Sequence, residues 1–309
     1  MRRSIVVVSA VIWLACNRGS APQETAAPPP GPASGRITIP ATDLPVFPAK
    51  IAAPPGHLEG LRSRIVTSSQ FDTTGAGRTA ITLSLPGNLS TAESLLATVA
   101  IGTVPASGCG GACPDAGSAA IVAPANAACV AAGNPDTCCT GHRVGTCNWT
   151  LVDSAACGRD LQVAVYSKPV EAGENNRTTY SWNFTSSGSP ATFVGVIGVT
   201  AFAKLRPAPV DGVAHRCSTA SATLTAPSIT TQKDNSLNVL IYAIAGDYPI
   251  ARTAGYSLIY SHSVAGAGPT LANNVALFPK GGSVTADRTT AAAGEADGVG
   301  FQIGLSALP

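Results

Sequence analysis

Nine cysteines, four histidines and a thin scatter of acidic residues are the side chains of this 309-residue chain that could bind a metal, exchange electrons or catalyse a reaction. Cys109, Cys113, Cys129, Cys138, Cys139 and Cys147 crowd into one stretch, with Cys157 and Cys217 downstream and Cys16 near the start. Thiolate and imidazole together suit zinc, so Cys109, Cys113, Cys138, Cys139, Cys147 and His142 form a conceivable ligand set. Their spacing is not that of a paired Cys-x2-Cys ribbon. A redox role needs an exposed Cys-x-x-Cys beside a helix N-terminus, which lowers one thiol's pKa, and that context is missing.

The remaining chemistry is sparse. His57, His142, His215 and His262 lie far apart in sequence and read as solvated side chains. Asp211-Gly212 and Glu295-Ala296-Asp297-Gly298 invite a calcium reading, because loops of β-proteins gather carboxylates and carbonyls around that ion. Turn chemistry explains the same residues, and no cofactor is expected. No nucleophile elbow, phosphate-binding loop, His-Glu-x-x-His helix or dinucleotide fingerprint occurs. Paired carboxylates for glycoside hydrolysis are set by the fold, and nothing singles out a pair. Trp149, Tyr166, Tyr180, Trp182, Tyr256 and Tyr260 could stack on sugar rings only if exposed together; most are expected in a core, since Trp149 and Trp182 begin or centre strands whose same-face neighbours are apolar.

Arg2 and Arg3 precede an apolar run from Ile5 to Leu14 that ends at Ala15 and Cys16, the pattern of a secretory signal. The run is far short of the roughly 20 residues of a spanning helix. Leu14-Ala15-Cys16 resembles a bacterial lipobox, although Trp13 stands where Leu is usual. That resemblance implies cleavage before Cys16, acylation of its sulfur, and anchoring in a membrane; Asn17 points to the outer membrane or cell surface. The alternative is an ordinary secretory signal cut nearby, leaving Cys16 free. Setting Cys16 aside leaves eight cysteines, an even number, in a chain bound for an oxidising compartment, where disulfides are the default. Cys109, Cys113, Cys129, Cys138, Cys139, Cys147, Cys157 and Cys217 are therefore expected to pair, with connectivity open. Cys138 and Cys139 are adjacent, so their Cβ vectors diverge and they bond different partners.

Losing Arg2 and Arg3 leaves 17 basic residues against 17 acidic ones, which gives no electrostatic pull toward nucleic acid. Between Asn17 and Gly60 fall ten of the 24 prolines, so residues 16–60 read as an extended tether. From Leu61 the pattern is alternation: Ile81, Leu83, Leu85; Leu95, Ala97, Val99, Ile101; Leu161, Val163, Val165; Tyr180, Trp182, Phe184; Phe301, Ile303, Leu305. Phe193 to Val199 and Leu237 to Ala245 are apolar on both faces and read as central strands. Thr91 to Leu96 reads as a turn entering a strand. Turn signals such as Pro86-Gly87-Asn88 and Ser187-Gly188-Ser189-Pro190 separate these runs. The fold class predicted is all-β: a single large antiparallel sandwich, jelly-roll-like, over 61–309. Its one break in rhythm is 105–148, poor in large apolar side chains and expected to be an insertion loop ordered by disulfides.

Leu95-Leu96-Ala97, Trp149-Thr150-Leu151-Val152, Val165-Tyr166-Ser167-Lys168, Tyr180-Ser181-Trp182-Asn183-Phe184, Gly198-Val199, Pro209-Val210-Asp211, Thr225 to Thr231 with Asn235-Ser236-Leu237, Ala286-Asp287 and Ala292-Ala293-Gly294 resemble, in order and spacing, a β-sandwich module that recurs in phage structural proteins and bacterial surface proteins. The long cysteine-rich insertion before Trp149 departs from that pattern. The resemblance implies a sandwich and brings no catalytic residue with it. The expectation is a lipid-anchored, non-catalytic surface module that binds a glycan or protein ligand; the competing expectation is an envelope hydrolase acting on polysaccharide.

Overall fold

The computed structural model describes residues 66–74, 77–87, 89–104, 114–124, 149–171, 174, 179–203, 205–234, 236–266, 268–278, 280–291 and 296–307. Cys16, the tether, His57, His142, and Cys109, Cys113, Cys129, Cys138, Cys139 and Cys147 lie outside them. The protein is all-β, built from antiparallel sheets.

The first half makes two sheets. β1 (Val66–Thr73), β9 (Val194–Ala203), β3 (Glu93–Gly102), β6 (Leu161–Pro169) and β5 (Thr150–Cys157) form one sheet in the order β1-β9-β3-β6-β5. β2 (Ala80–Ser84), β7 (Thr179–Ser186) and β4 (Ala119–Val122) form a smaller one, with β8 (Ser189–Pro190) returning along β7. The β7–β8 turn sits at Ser187-Gly188, whose φ values of 51° and 79° suit the two-residue hairpin turn with both central residues left-handed.

The second half repeats the plan. β10 (Leu205–Ser218), β18 (Gly298–Ala307), β13 (Ser236–Ile244), β15 (Thr270–Phe278) and β14 (Ser257–Ser263) form a five-stranded sheet in the order β10-β18-β13-β15-β14. β11 (Thr223–Ala226) pairs β17 (Asp287–Thr290), and β12 (Ile229–Thr231) pairs β16 (Gly282–Val284). In each half the first strand pairs with the last, the last with a middle strand, and a hairpin completes the sheet. Each half also covers that sheet with short strands drawn from the same intervals, and the Ile250↔Ala291 bridge stands where β4 meets β7. The two halves therefore share one topology. β5 lies on β10 and β1 on β14, the relation a pseudo-two-fold axis between the halves requires.

Side-chain period explains the layering. In β3, Leu96 and Ala100 face the second half's large sheet while Leu95, Ala97, Val99 and Ile101 face β2, β4 and β7. In β13, Leu237, Val239, Ile241 and Ala243 meet the first half while Leu240, Tyr242 and Ile244 pack under β11 and β17. The two large sheets are thus a sandwich whose outer faces are each covered by smaller sheets, which is why β3 and β13 are buried along their whole lengths. β18 shows how closely one cover sits. Its inner face carries Val299, Phe301, Ile303 and Leu305, and its outer face carries Gly298, Gly300, Gln302 and Gly304. A Cβ at Gly300 would lie 2.5 Å from the Thr225 carbonyl oxygen, and one at Gly304 would lie 2.5 Å from Thr231 Cγ2. Missing side chains let the cover strands rest on the sheet backbone.

The stretch 105–148 differs from the expectation of one uninterrupted insertion. Residues 116–118 form a 3-10 turn, Ala116 and Ile121 are buried, and β4 completes an outer sheet, so part of the segment belongs to the fold. The disulfide among the described residues lies elsewhere: Cys157 on β5 joins Cys217 on β10 and ties one half to the other.

Candidate functional site

An open cleft of about 270 Å3 is lined by Arg216, Cys217, Ser218, Ser221, Thr223, Thr225 and Arg288. Its walls follow from local pattern. On β10, His215 and Cys217 turn toward β5, where His215 Nδ1 meets Asp153 Oδ2 at 2.8 Å and Cys217 meets Cys157, so Arg216 and Ser218 fall on the opposite side. On β11, Leu224 and Ala226 are buried in the core, which turns Thr223 and Thr225 outward. Arg288 on β17 sits directly across from Thr225. Between β10 and β11 the chain reverses through Ala220, at φ 44°, and Ser221 Oγ accepts from the Thr223 amide at 3.1 Å.

The charge in this cleft is one-sided. Neither Arg216 nor Arg288 forms an ion pair among the described residues, and the lining holds no carboxylate. The Ser218 hydroxyl oxygen is buried in the wall without a hydrogen-bond partner. Two guanidiniums and the Thr223 and Thr225 hydroxyls can donate to an oxyanion and its neighbouring hydroxyls, while the Ser221 hydroxyl already donates to the Thr223 carbonyl. They supply neither a general base nor a free nucleophile.

A second polar group is buried rather than open. Lys168 lies on the inward face of β6, with Nζ 2.7 Å from Glu174 Oε1, 2.9 Å from Glu171 Oε1 and 2.8 Å from the Tyr180 hydroxyl. Tyr180 also donates to Glu174 in a short hydrogen bond. Burial, then the Glu174 charge, pushes the Tyr180 phenol far above its ordinary value, so it stays protonated. Trp149 packs edge-on to Tyr180 with ring centroids 5.5 Å apart and covers the ammonium at 5.9 Å. The Lys168 side chain is 0% exposed and those of Glu171 and Glu174 are 11% and 6% exposed, so the cluster is buried.

The residues singled out by sequence fall as follows. Trp149, Tyr166, Tyr180, Trp182, Tyr256 and Tyr260 are all buried, where most of them were expected to be core. Asp211 accepts from the Gln232 and Lys233 amides at 2.8 and 2.9 Å, which is turn chemistry. Asp297 packs its carboxylate on Gly158. His215 is exposed, as the solvated reading expected, and its ring is also held by Asp153 and lies against Phe301, because edge strand β10 is laid on β5. His262 departs from that reading. It is half-buried and stacked on Tyr260, and that burial lowers its pKa. Among the described residues no three His, Cys, Asp or Glu side chains converge.

Sequence reasoning missed both polar groups. Lys168 was within reach, since it continues the inward alternation of Ala164 and Tyr166. Arg216 and Arg288 were not, because they come together only through the β10–β11 reversal and the β11–β17 pairing. No protein family, curated protein or solved structure matches the chain.

Proposed function

We propose that the chain is a non-catalytic ligand-binding module held outside the cytoplasm by an acylated Cys16, displayed at an outer membrane or cell surface on a proline-rich tether. The cleft carries this reading: Arg216 and Arg288 are accessible, lack counter-charges among the described residues, and stand among hydroxyls suited to holding a polar ligand. The resemblance of its strands to surface and phage β-sandwich modules points the same way. A hydrolase working in this cleft would need an acid or base in its lining, which holds none. The place where carboxylates gather, around Lys168, is buried.

Two measurements test the proposal. Cells expressing the wild-type chain and Cys16→Ser are fractionated; the wild type stays with membranes through high salt and releases in detergent, whereas the variant is soluble. Release of the wild type by salt alone defeats the anchor. The full mature chain carrying Cys16→Ser is then incubated with envelope and extracellular polysaccharides, following both retention and new reducing ends. Saturable retention without cleavage supports a binding module, and new reducing ends overturn it.

A further inference from the structure

We infer that the cleft between β10, β11 and β17 takes one carboxylate-bearing sugar, the acidic residue of a polysaccharide. This rests on the reading of the chain as a binding module and names the class of its ligand.

The lining selects by what it contains. Arg216 and Arg288 each present a planar fork of donors that matches a carboxylate, and neither is neutralised among the described residues. The chain nets zero after the signal, so this local excess is a property of the cleft and not of the whole surface. With no carboxylate in the lining, an amino acid's ammonium would go unpaired. With no aromatic or long aliphatic wall, an aryl or fatty acid would gain little by leaving water. Thr223 and Thr225 instead offer short hydroxyls that can donate or accept, the pairing that sugar hydroxyls need.

Size and framing agree. About 270 Å3 falls just under the roughly 300 Å3 at which pockets begin to enclose drug-sized ligands, so one ring enters while the polymer continues outside. The floor is rigid. β11 rests on the glycine face of β18, and the Cys157–Cys217 bond fixes the end of β10 to the other half. A preformed site loses little entropy on binding.

The test uses the full mature chain carrying Cys16→Ser, titrated at fixed salt with polygalacturonate, dextran sulfate, polyphosphate and neutral dextran. Polygalacturonate should bind saturably, with neutral dextran silent. Arg216→Gln and Arg288→Gln should each weaken it about tenfold, one lost charge-assisted hydrogen bond, and the double variant should abolish it. Arg288→Lys should restore little, since an ammonium lacks the fork. Arg78→Gln, an exposed arginine in the other half, should change nothing, and each variant's circular dichroism should match the parent's.

The inference fails if Arg78→Gln weakens binding as much as the cleft variants, if dextran sulfate or polyphosphate binds with cleft dependence while polygalacturonate does not, or if neutral dextran binds equally. Failure with every anion while another glycan or a protein still binds sinks the inference and spares the binding-module reading. New reducing ends would sink that reading instead.

Discussion

Replacing Cys157 by Ala and Cys217 by Ser removes the covalent tie between β5 of the first half and β10 of the second. The bond spans a sequence separation of 60, for which the chain-entropy relation gives about 14 cal/mol/K, or about 4 kcal/mol at 25 °C. Cys157 is buried in the core shared by the two large sheets, so truncation to Ala adds about 1 kcal/mol of lost packing. The total, about 5 kcal/mol, corresponds to a midpoint about 1 M lower in guanidinium for a slope near 4 kcal/mol/M. Equilibrium unfolding without reductant, followed by tryptophan fluorescence and far-ultraviolet circular dichroism, reads it directly. Trp149 and Trp182 report the first half while the dichroism reports both. The two signals should shift together, because Leu96, Val163 and Val196 of one half and Val239, Phe301 and Ile303 of the other form one core. A stability unchanged within about 0.5 kcal/mol, or separate transitions in the parent chain, would refute the reasoning.

Three further outcomes follow from the packing. Gly300→Val should lower stability by about 3 kcal/mol or more, because its Cβ would lie 2.5 Å from the Thr225 carbonyl oxygen; Gly255→Val, at φ +82° in open space, should cost only backbone strain of about 1–2 kcal/mol by the same melt. Lys168→Met should cost about 3–5 kcal/mol by stranding Glu171 and Glu174, and adding Glu171→Gln and Glu174→Gln should recover part of it, read by a denaturant series on all variants. His262 has its pKa lowered by burial, so the unfolded chain binds its proton first: its contribution is present above pH about 6.5 and is lost as pH falls through the lower folded value. The stability gap between wild type and His262→Gln should therefore narrow from pH 7.5 to pH 5, and a gap that stays constant would contradict the burial argument.

Strand identity was legible because period-2 patterning is local. Leu95, Ala97, Val99 and Ile101, or Leu237 to Ala245, announce buried strands wherever the partners lie. Thr91-Ala92 is the turn before β3 that its residues suggested. Layer number was not legible. A strand apolar on both faces says that it is covered twice and not by what, so two large sheets with separate covers read as one sandwich. The glycine face of β18 is silent for a related reason: Gly300 and Gly304 carry no side chain to mark burial, yet they lie where β11 and β12 press close. The shared topology of the halves lies in pairing order, which no short motif records. The cleft stayed hidden because Arg216 and Arg288 meet through tertiary pairing alone.

Hydrogen–deuterium exchange on the full mature chain carrying Cys16→Ser, with and without saturating polygalacturonate, tests the central claim most directly. The account predicts added protection in 216–225 and around Arg288, with the rest of both large sheets unchanged. Protection confined to another region, or none under conditions where the polymer is retained, would contradict it.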